Sequence, residues 1–256
     1  VQLSPADDIL IRVEKALDID SEGQMIASVL SKKAAAGSTD VVIDIPVGPT
    51  AKVRSQETAE QLSEKMVVVG KAIGLNIEII LNDGSQPVGR GIGPALEAQD
   101  ILAVLRNEDD APDDLRKRAI TLAGRLLEMS GKAGKGSGEE KALQILAEGQ
   151  AYKKFIAICE AQGYFREPGI AKFKFKVKTN ISGRVSAIDN RKLAKLAKLA
   201  GAPSAMTAGV VLLTPVGTLV SEGDTLYEIH AESKGELEYA LSYLDAQKQI
   251  IKINES

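Results

Sequence analysis

The sequence predicts an α/β protein, in which a mixed or parallel sheet with flanking helices follows a helical segment and precedes a small, strand-rich α+β domain. Strand and helix patterns alternate between residues 40 and 107, which favours parallel pairing because parallel strands need a crossover connection. Helical patterns then continue to residue 162. After Gly163 the pattern changes to short strands separated by glycine turns, which indicates the second domain.

Size and composition indicate an ordinary globular chain. The 256 residues are 44% hydrophobic and 26% charged, which is enough to bury a sizeable core. The net charge of −3 provides no cationic field for nucleic acid or anionic lipid. One Cys and one His exclude a disulfide within the chain and metal sites built from several cysteines or histidines. No apolar run reaches the roughly 18 residues of a membrane helix, and the first residues carry no signal pattern. We therefore expect a cytoplasmic protein without nucleic-acid or membrane partners.

The first clear helix is predicted over residues 24–36. Ser21 and Gln24 have the spacing of a capping box at its start. The apolar residues of this segment recur at helical spacing. Ser28 and Lys32 are four residues apart and therefore lie on a separate, polar face of the same helix.

Two buried strands are predicted over residues 40–45 and 75–81, with a helix from Ser55 to about residue 69 between them. The first strand runs into a loop of prolines and glycines that carries Lys52, and the second opens into a glycine-rich loop. Ligands of α/β sheets bind beyond the carboxyl ends of the strands. Both loops are therefore candidate parts of a site.

Two glycine-rich segments resemble phosphate-binding loops only superficially. Gly89-x-Gly91-x-Gly93 follows a strand, but the dinucleotide fingerprint G-x-G-x-x-G places its third glycine one residue later. We predict an ordered turn or a tight functional loop there. Residues 131–138 follow a helix and have Ser137 where a P-loop needs lysine, so we predict a flexible turn between helices.

The C-terminal part begins near Gly169 with a row of alternating lysines, from Lys172 to Lys178. Such a row holds a polyanion or protects the edge of a sheet from pairing, and we favour the edge strand. For Cys159 and His230 we expect core or surface roles without chemistry.

Four polar residues form the candidate site: Asp20, which precedes the first helix, Ser28 and Lys32 on that helix, and Lys52 beyond the first strand. One acid, one hydroxyl and two cations suit a reaction in which an anion attacks and a heteroaromatic base leaves. The alternative to such a site is that the acid only caps the helix and that the lysines are solvated. The residues alone favour this structural alternative.

Longer segments of the chain resemble the thymidine/pyrimidine-nucleoside phosphorylase family. The similarity runs in order through residues 25–33, 36–37, 42–48 and 84–97. Other segments resemble the archaeal-type branch of that family, the AMP phosphorylases; they are residues 5–8, 43–48, 83–87, 187–190, 200–203, 208–210 and 230–233. The arginine that the pyrimidine enzymes place before the first helix is not matched in register, because Val13 stands at its spacing.

The resemblance implies phosphorolysis, in which phosphate attacks the anomeric carbon, the base leaves and a sugar phosphate forms. In the AMP branch it implies that Asp20 donates a proton to the leaving base and that Ser28 and Lys52 contact the nucleotide. In the pyrimidine branch Ser28 and Lys32 match the residues that hold the base. Phosphate is then a co-substrate and no cofactor or metal is needed. We expect an AMP phosphorylase that yields adenine and ribose 1,5-bisphosphate; the alternatives are a thymidine phosphorylase and a non-catalytic binding or assembly module.

The resemblance also implies that the chain corresponds to the C-terminal half of such an enzyme, because nothing in it matches the glycine/serine-rich phosphate loop of the family. Residues 1–36 would be the returning segment of the helical domain, 37–168 part of the α/β domain, and 170–256 the C-terminal α+β domain. We expect the N-terminal half as a partner, a homodimer or other homo-oligomer, and no activity from the chain alone.

Overall fold

A computed structural model describes residues 5, 7, 9–11, 13, 22–247 and 249–255 of the chain. These residues form helices and small sheets, which confirms the predicted mixed α/β class. They divide into two compact units. The first unit comprises the described residues up to Asp83 together with Leu122–Gly138, and the second comprises Gly84–Thr121 and the described residues from Glu139 onward. Within the described ranges, no helix has the length and apolar character needed to cross a membrane.

The first unit contains the helix and strands that the sequence predicts, in the predicted order: α1 (Glu22–Ala35), β1 (Asp40–Val47), α2 (Gln56–Ala72) and β2 (Asn76–Asp83). The two strands pair in parallel, from Asp40 opposite Asn76 to Val47 opposite Asp83. Helix α2 is the crossover that parallel pairing needs. Ser55 caps this helix, because its side chain accepts a hydrogen bond from the backbone N–H of Thr58.

The core of the first unit lies between α1, α2 and one face of the strands. Its buried members are Ile26, Leu30, Val41, Ile45, Val53, Ala59, Leu62, Met66 and Leu75. Helix α2 approaches β2 so closely that a Cβ added to Gly70 would lie 2.0 Å from Cδ1 of Ile77. Since α1 buries Ile26 and Leu30 in this core, the face that carries Ser28 and Lys32 is left outside it.

The second unit begins with β3 (Gly91–Ile92) and α3 (Pro94–Leu105). Helix α4 (Asp113–Met129) has its residues up to Thr121 in the second unit and the rest in the first. The further elements are α5 (Gly138–Ala147), α6 (Gln150–Ala161), β4 (Phe173–Lys178), β5 (Gly183–Ile188), α7 (Asn190–Leu199), β6 (Gly209–Leu212), β7 (Leu219–Val220), β8 (Thr225–Ala231), α8 (Lys234–Ala246) and β9 (Ile251–Glu255). One sheet has the order β3-β6-β8-β4, and a second has the order β7-β5-β9. All described pairs in these two sheets are antiparallel.

Strand β4 carries the lysine row and lies at the edge of its sheet, as the sequence predicts. His230, on the neighbouring strand β8, is only 5% exposed, and its Nε2 lies 3.3 Å from Oε2 of Glu228. Burial lowers the pKa of His230, although the hydrogen bond with Glu228 opposes this effect. The histidine is therefore neutral at neutral pH, which fits the core role expected for it.

The glycine loop before α3 is an ordered turn whose backbone amides bind carboxylates of the protein itself. The N–H groups of Arg90 and Gly91 donate to Oδ2 of Asp100 at 2.6 and 2.7 Å. The N–H of Gly89 donates to Asp114, and the N–H of Gly93 donates to Glu97 of α3, both at 3.0 Å. Donors that a dinucleotide phosphate would need are thus already used, which excludes the dinucleotide interpretation.

Residues 131–138 form the predicted turn between helices, here α4 and α5. The backbone N–H groups of Gly136 and Gly138 donate to Oε1 of Glu128 at 3.0 and 2.9 Å. The same glutamate lies 3.3 Å from Arg125, which also pairs with Glu78 of β2. A carboxylate therefore occupies the place where a P-loop would hold a phosphate.

Candidate active site

The structure joins Ser28 and Lys32 to a third residue, Asp7. The hydroxyl of Ser28 donates to Oδ2 of Asp7 at 2.9 Å. The ammonium of Lys32 lies 2.7 Å from the same oxygen and donates to Oγ of Ser28 at 3.2 Å. The three side chains therefore form a closed triangle of charge-assisted hydrogen bonds, which are stronger than neutral ones. We call this set the Asp7 triangle.

The Asp7 triangle has a buried carboxylate and a partly exposed ammonium. Asp7 is 5% exposed, whereas the side chain of Lys32 is 38% exposed. The hydrogen bond from Lys32 is the main cause that holds the pKa of Asp7 below its ordinary value, with a further contribution from Ser28, and burial opposes both. Asp7 is therefore an anion at neutral pH, and the triangle presents its cation, not its acid, toward solvent.

The local fold accounts for two members of the triangle. Ser28 and Lys32 are one helical turn apart on α1, so that their side chains meet on one face. Asp7, whose backbone is also helical, stands 21 residues before Ser28. No helical or strand period relates positions that far apart. Spacing therefore does not predict Asp7 as a site residue, and the resemblance of residues 5–8 to the AMP phosphorylases is the one signal in the sequence that points to it.

The other two candidate residues, Asp20 and Lys52, are not among the three side chains of the Asp7 triangle. Asp20 lies outside the described residues. Lys52 is exposed in the loop that follows β1, beyond the carboxyl end of that strand, as predicted. The loop folds back on the strand end, because the N–H of Gly48 donates to the carbonyl of Val53 at 3.0 Å and Val47 bridges to Val53.

An ammonium and a hydroxyl side by side suit the binding of a polar ring edge. When a heteroaromatic base leaves a sugar, negative charge develops on its ring, and a nearby cation stabilises that charge. Lys32 is such a cation. In the part of the chain that the structure describes, no group of three or more His, Cys, Asp or Glu side chains is suited to hold a metal ion.

The pH dependence of unfolding tests the ion pair of the Asp7 triangle. The pKa of Asp7 is lower in the folded chain than its ordinary value of 3.8. The ion pair with Lys32 therefore stabilises the fold fully at pH values above 3.8, and this stabilisation is lost as the pH falls through the pKa of the folded state. The free energy of unfolding in urea is measured for the wild-type chain and for Asp7→Asn. We expect the excess of the wild-type value over the variant value to increase as the pH rises from about 3 to about 5, and then to stay level.

Lys65→Ala is the control for this measurement. It breaks an exposed ion pair with Glu22 that has the same 2.7 Å separation, and exposed pairs contribute little. A stability difference between the wild-type chain and Asp7→Asn that does not change with pH would contradict the account.

Comparison with known proteins agrees with the family indicated by the sequence. Residues 184–251 match the model of the pyrimidine nucleoside phosphorylase C-terminal domain. The chain is 57% identical over 255 residues to "Putative thymidine phosphorylase 1" of Acidovorax sp. (strain JS42), covering 100% of the chain and 50% of the relative. Proteins named "Putative thymidine phosphorylase" from Legionella pneumophila (strain Paris) and Hahella chejuensis (strain KCTC 2396) are also 57% identical over 256 and 255 residues, with the same two coverages.

These matches define the family but not the activity of the chain. The chain belongs to the pyrimidine nucleoside phosphorylase family, and the resemblance found in the sequence is confirmed at that level. It spans about half the length of the curated relatives that it matches. The AMP phosphorylase branch gains no specific support from the relatives described above, all of which carry the thymidine phosphorylase name.

Proposed function

We propose that this chain is part of a pentosyltransferase that catalyses the phosphorolysis of thymidine or a similar pyrimidine nucleoside, with Ser28 and Lys32 as the residues that hold the base. The observation that carries the proposal is the 3.2 Å contact between Lys32 Nζ and Ser28 Oγ on the outer face of α1. These are the two residues that match the base-holding pair of the pyrimidine branch. The names of the relatives support the same substrate class.

Lys32 and Ser28 have different roles in the proposed reaction. An oxygen of inorganic phosphate bonds to the anomeric carbon while the bond from that carbon to the base nitrogen breaks, and the bonding pair leaves with the base. Lys32 stabilises the charge that then spreads to a ring carbonyl oxygen, and its effect is greatest in the transition state. Ser28 fixes the orientation of the ring, which keeps the anomeric carbon in line with the incoming phosphate.

The AMP phosphorylase hypothesis instead gives the proton transfer to Asp20 and the nucleotide contacts to Ser28 and Lys52. A lysine beyond a strand end is a suitable charge for a nucleotide phosphate. The resemblance gives Lys32 a specific role only in the pyrimidine branch, and the Asp7 triangle holds this lysine beside Ser28. We therefore make thymidine the proposed substrate and treat cleavage of AMP as the outcome that would replace it.

The assay needs this chain joined to the half of the Legionella pneumophila relative that it does not match; we call this fusion the completed protein. Incubation with thymidine and phosphate is expected to release thymine and 2-deoxyribose 1-phosphate in equal amounts, at a rate that depends on phosphate. Hydrolysis without phosphate, or release of adenine from AMP with no release of thymine, would overturn the proposal.

A further inference from the structure

We propose that Asp7 is a positioning residue that sets the direction of the hydrogen bonds offered by Ser28 and Lys32, so that Ser28 accepts from the base and Lys32 donates to it. The inference rests on the proposed function and adds a specificity rule to it. The site then selects a ring edge in which an N–H group stands beside a carbonyl oxygen, as in thymine and uracil.

The rule follows from counting donors and acceptors in the Asp7 triangle. Ser28 has one hydroxyl hydrogen, and an ionised carboxylate can only accept. The 2.9 Å bond to Asp7 therefore uses that hydrogen and leaves two lone pairs on the hydroxyl oxygen. One lone pair accepts from Lys32 at 3.2 Å, and the other has no donor among the described residues and can accept an N–H from a ligand.

Lys32 is fixed by the same carboxylate. Its ammonium has three N–H groups, of which one points to Asp7 and one to Ser28. The third has no partner among the described residues, and the 38% exposure of the side chain leaves it accessible to a ligand from solvent. An ammonium cannot accept, so the two residues together offer one acceptor and one donor.

This pattern is complementary to a pyrimidine-2,4-dione. The N3–H of such a ring would donate to Ser28, and an adjacent carbonyl oxygen would accept from Lys32. Without Asp7 the hydroxyl of Ser28 would be free to rotate and to donate as well as accept, and the distinction between an N–H and an N-methyl group would weaken.

The burial of Asp7 favours a functional role over an incidental ion pair. A buried carboxylate is costly unless its hydrogen bonds are complete. Asp7 is 5% exposed, and its Oδ1 is buried with no hydrogen-bond partner among the described residues. A buried carboxylate with one oxygen unpartnered among these residues stabilises a fold poorly, whereas its Oδ2 orients both Ser28 and Lys32.

The test compares thymidine with N3-methylthymidine in the completed protein. The wild-type protein is expected to prefer thymidine by at least about 100-fold in kcat/KM, because its site is built for an N–H. Asp7→Ala removes the acceptor that holds the Ser28 hydrogen, and the preference should fall by about tenfold or more. Asp7→Asn keeps a carbonyl acceptor at the same place, so it should retain the preference even if its overall rate is lower.

A double-variant cycle shows whether Asp7 acts through Ser28. In a Ser28→Ala background, Asp7→Ala should change the preference no further. Equal losses of rate in Asp7→Ala and Asp7→Asn, with the preference for thymidine unchanged in both, would overturn the inference and leave Asp7 as a structural ion pair. Lys65→Ala, which removes an exposed ion pair of the same unit, should match the wild-type protein.

Failure of the inference can be told apart from failure of the proposed function. If the wild-type protein does not cleave thymidine, the proposed function is wrong, and the rule is tested by calorimetric binding of uracil and 3-methyluracil to the same variants. The rule would be supported if the wild-type protein binds uracil but not 3-methyluracil and if Asp7→Ala discriminates less between the two bases. Equal binding of the two bases, or of neither, would overturn it.

Discussion

Replacement of Lys32 by methionine is expected to lower kcat/KM of the completed protein for thymidine by at least about 100-fold, mostly through kcat. Methionine keeps most of the apolar stem of lysine and removes the charge. Because the charge of the leaving base develops in the transition state, the loss of the cation should affect turnover more than binding. Steady-state kinetics with thymidine and saturating phosphate measure this effect.

The stability of the Lys32 variant needs its own control, because methionine leaves the buried carboxylate of Asp7 without its ion-pair partner. The double variant Lys32→Met/Asp7→Asn removes both charges, so we expect it to recover stability without recovering turnover. Thermal unfolding of the three proteins separates the two effects. Near wild-type kcat/KM in a folded Lys32→Met protein would return Lys32 to the role of a solvated surface lysine.

The 256-residue chain alone is expected to give no detectable phosphorolysis of thymidine, in contrast to the completed protein. The reaction needs a bound and oriented phosphate, and effective orientation accounts for a large part of such rate enhancements. The two glycine-rich segments do not supply it. Their backbone N–H groups are held by Asp100, Asp114, Glu97 and Glu128.

Restoration of activity is the control for this prediction. The unmatched half of the relative, added as a separate chain, is expected to restore phosphate-dependent release of thymine if the two parts associate as one enzyme. Turnover by the 256-residue chain itself, in a preparation free of longer species, would contradict the prediction and would require a phosphate site within this sequence.

Local patterns in the sequence predicted the elements that depend on local forces. Helix α1 and strand β1 follow from apolar periodicity, and the edge position of β4 follows from its alternating lysines. Strand β3 was missed because it has two residues and pairs with β6, more than a hundred residues further along the chain. Such a pairing depends on close approach of backbones, and a Cβ on Gly209 of β6 would lie 2.1 Å from the carbonyl oxygen of Ile92.

The candidate site was predictable only in part for the same reason. The spacing of Ser28 and Lys32 placed them on one helix face, and the structure confirms that they are in contact. Asp7 joins them through tertiary structure, which no spacing rule reveals. The choice between AMP and thymidine was made from short shared segments, and members of one fold family share such segments while they differ in substrate. The division into three domains and the role of Asp20 stay predictions.

Direct competition between thymidine and AMP shows which of the two substrates the site prefers. The completed protein is given thymidine and AMP together with phosphate, and the ratio of the two kcat/KM values is read from the rates of thymine and adenine release. We expect a ratio of at least about 10 in favour of thymidine, since the acceptor and donor of the Asp7 triangle match its N–H and carbonyl groups. A ratio in favour of AMP would contradict the account and would transfer the chemistry to Asp20 and Lys52.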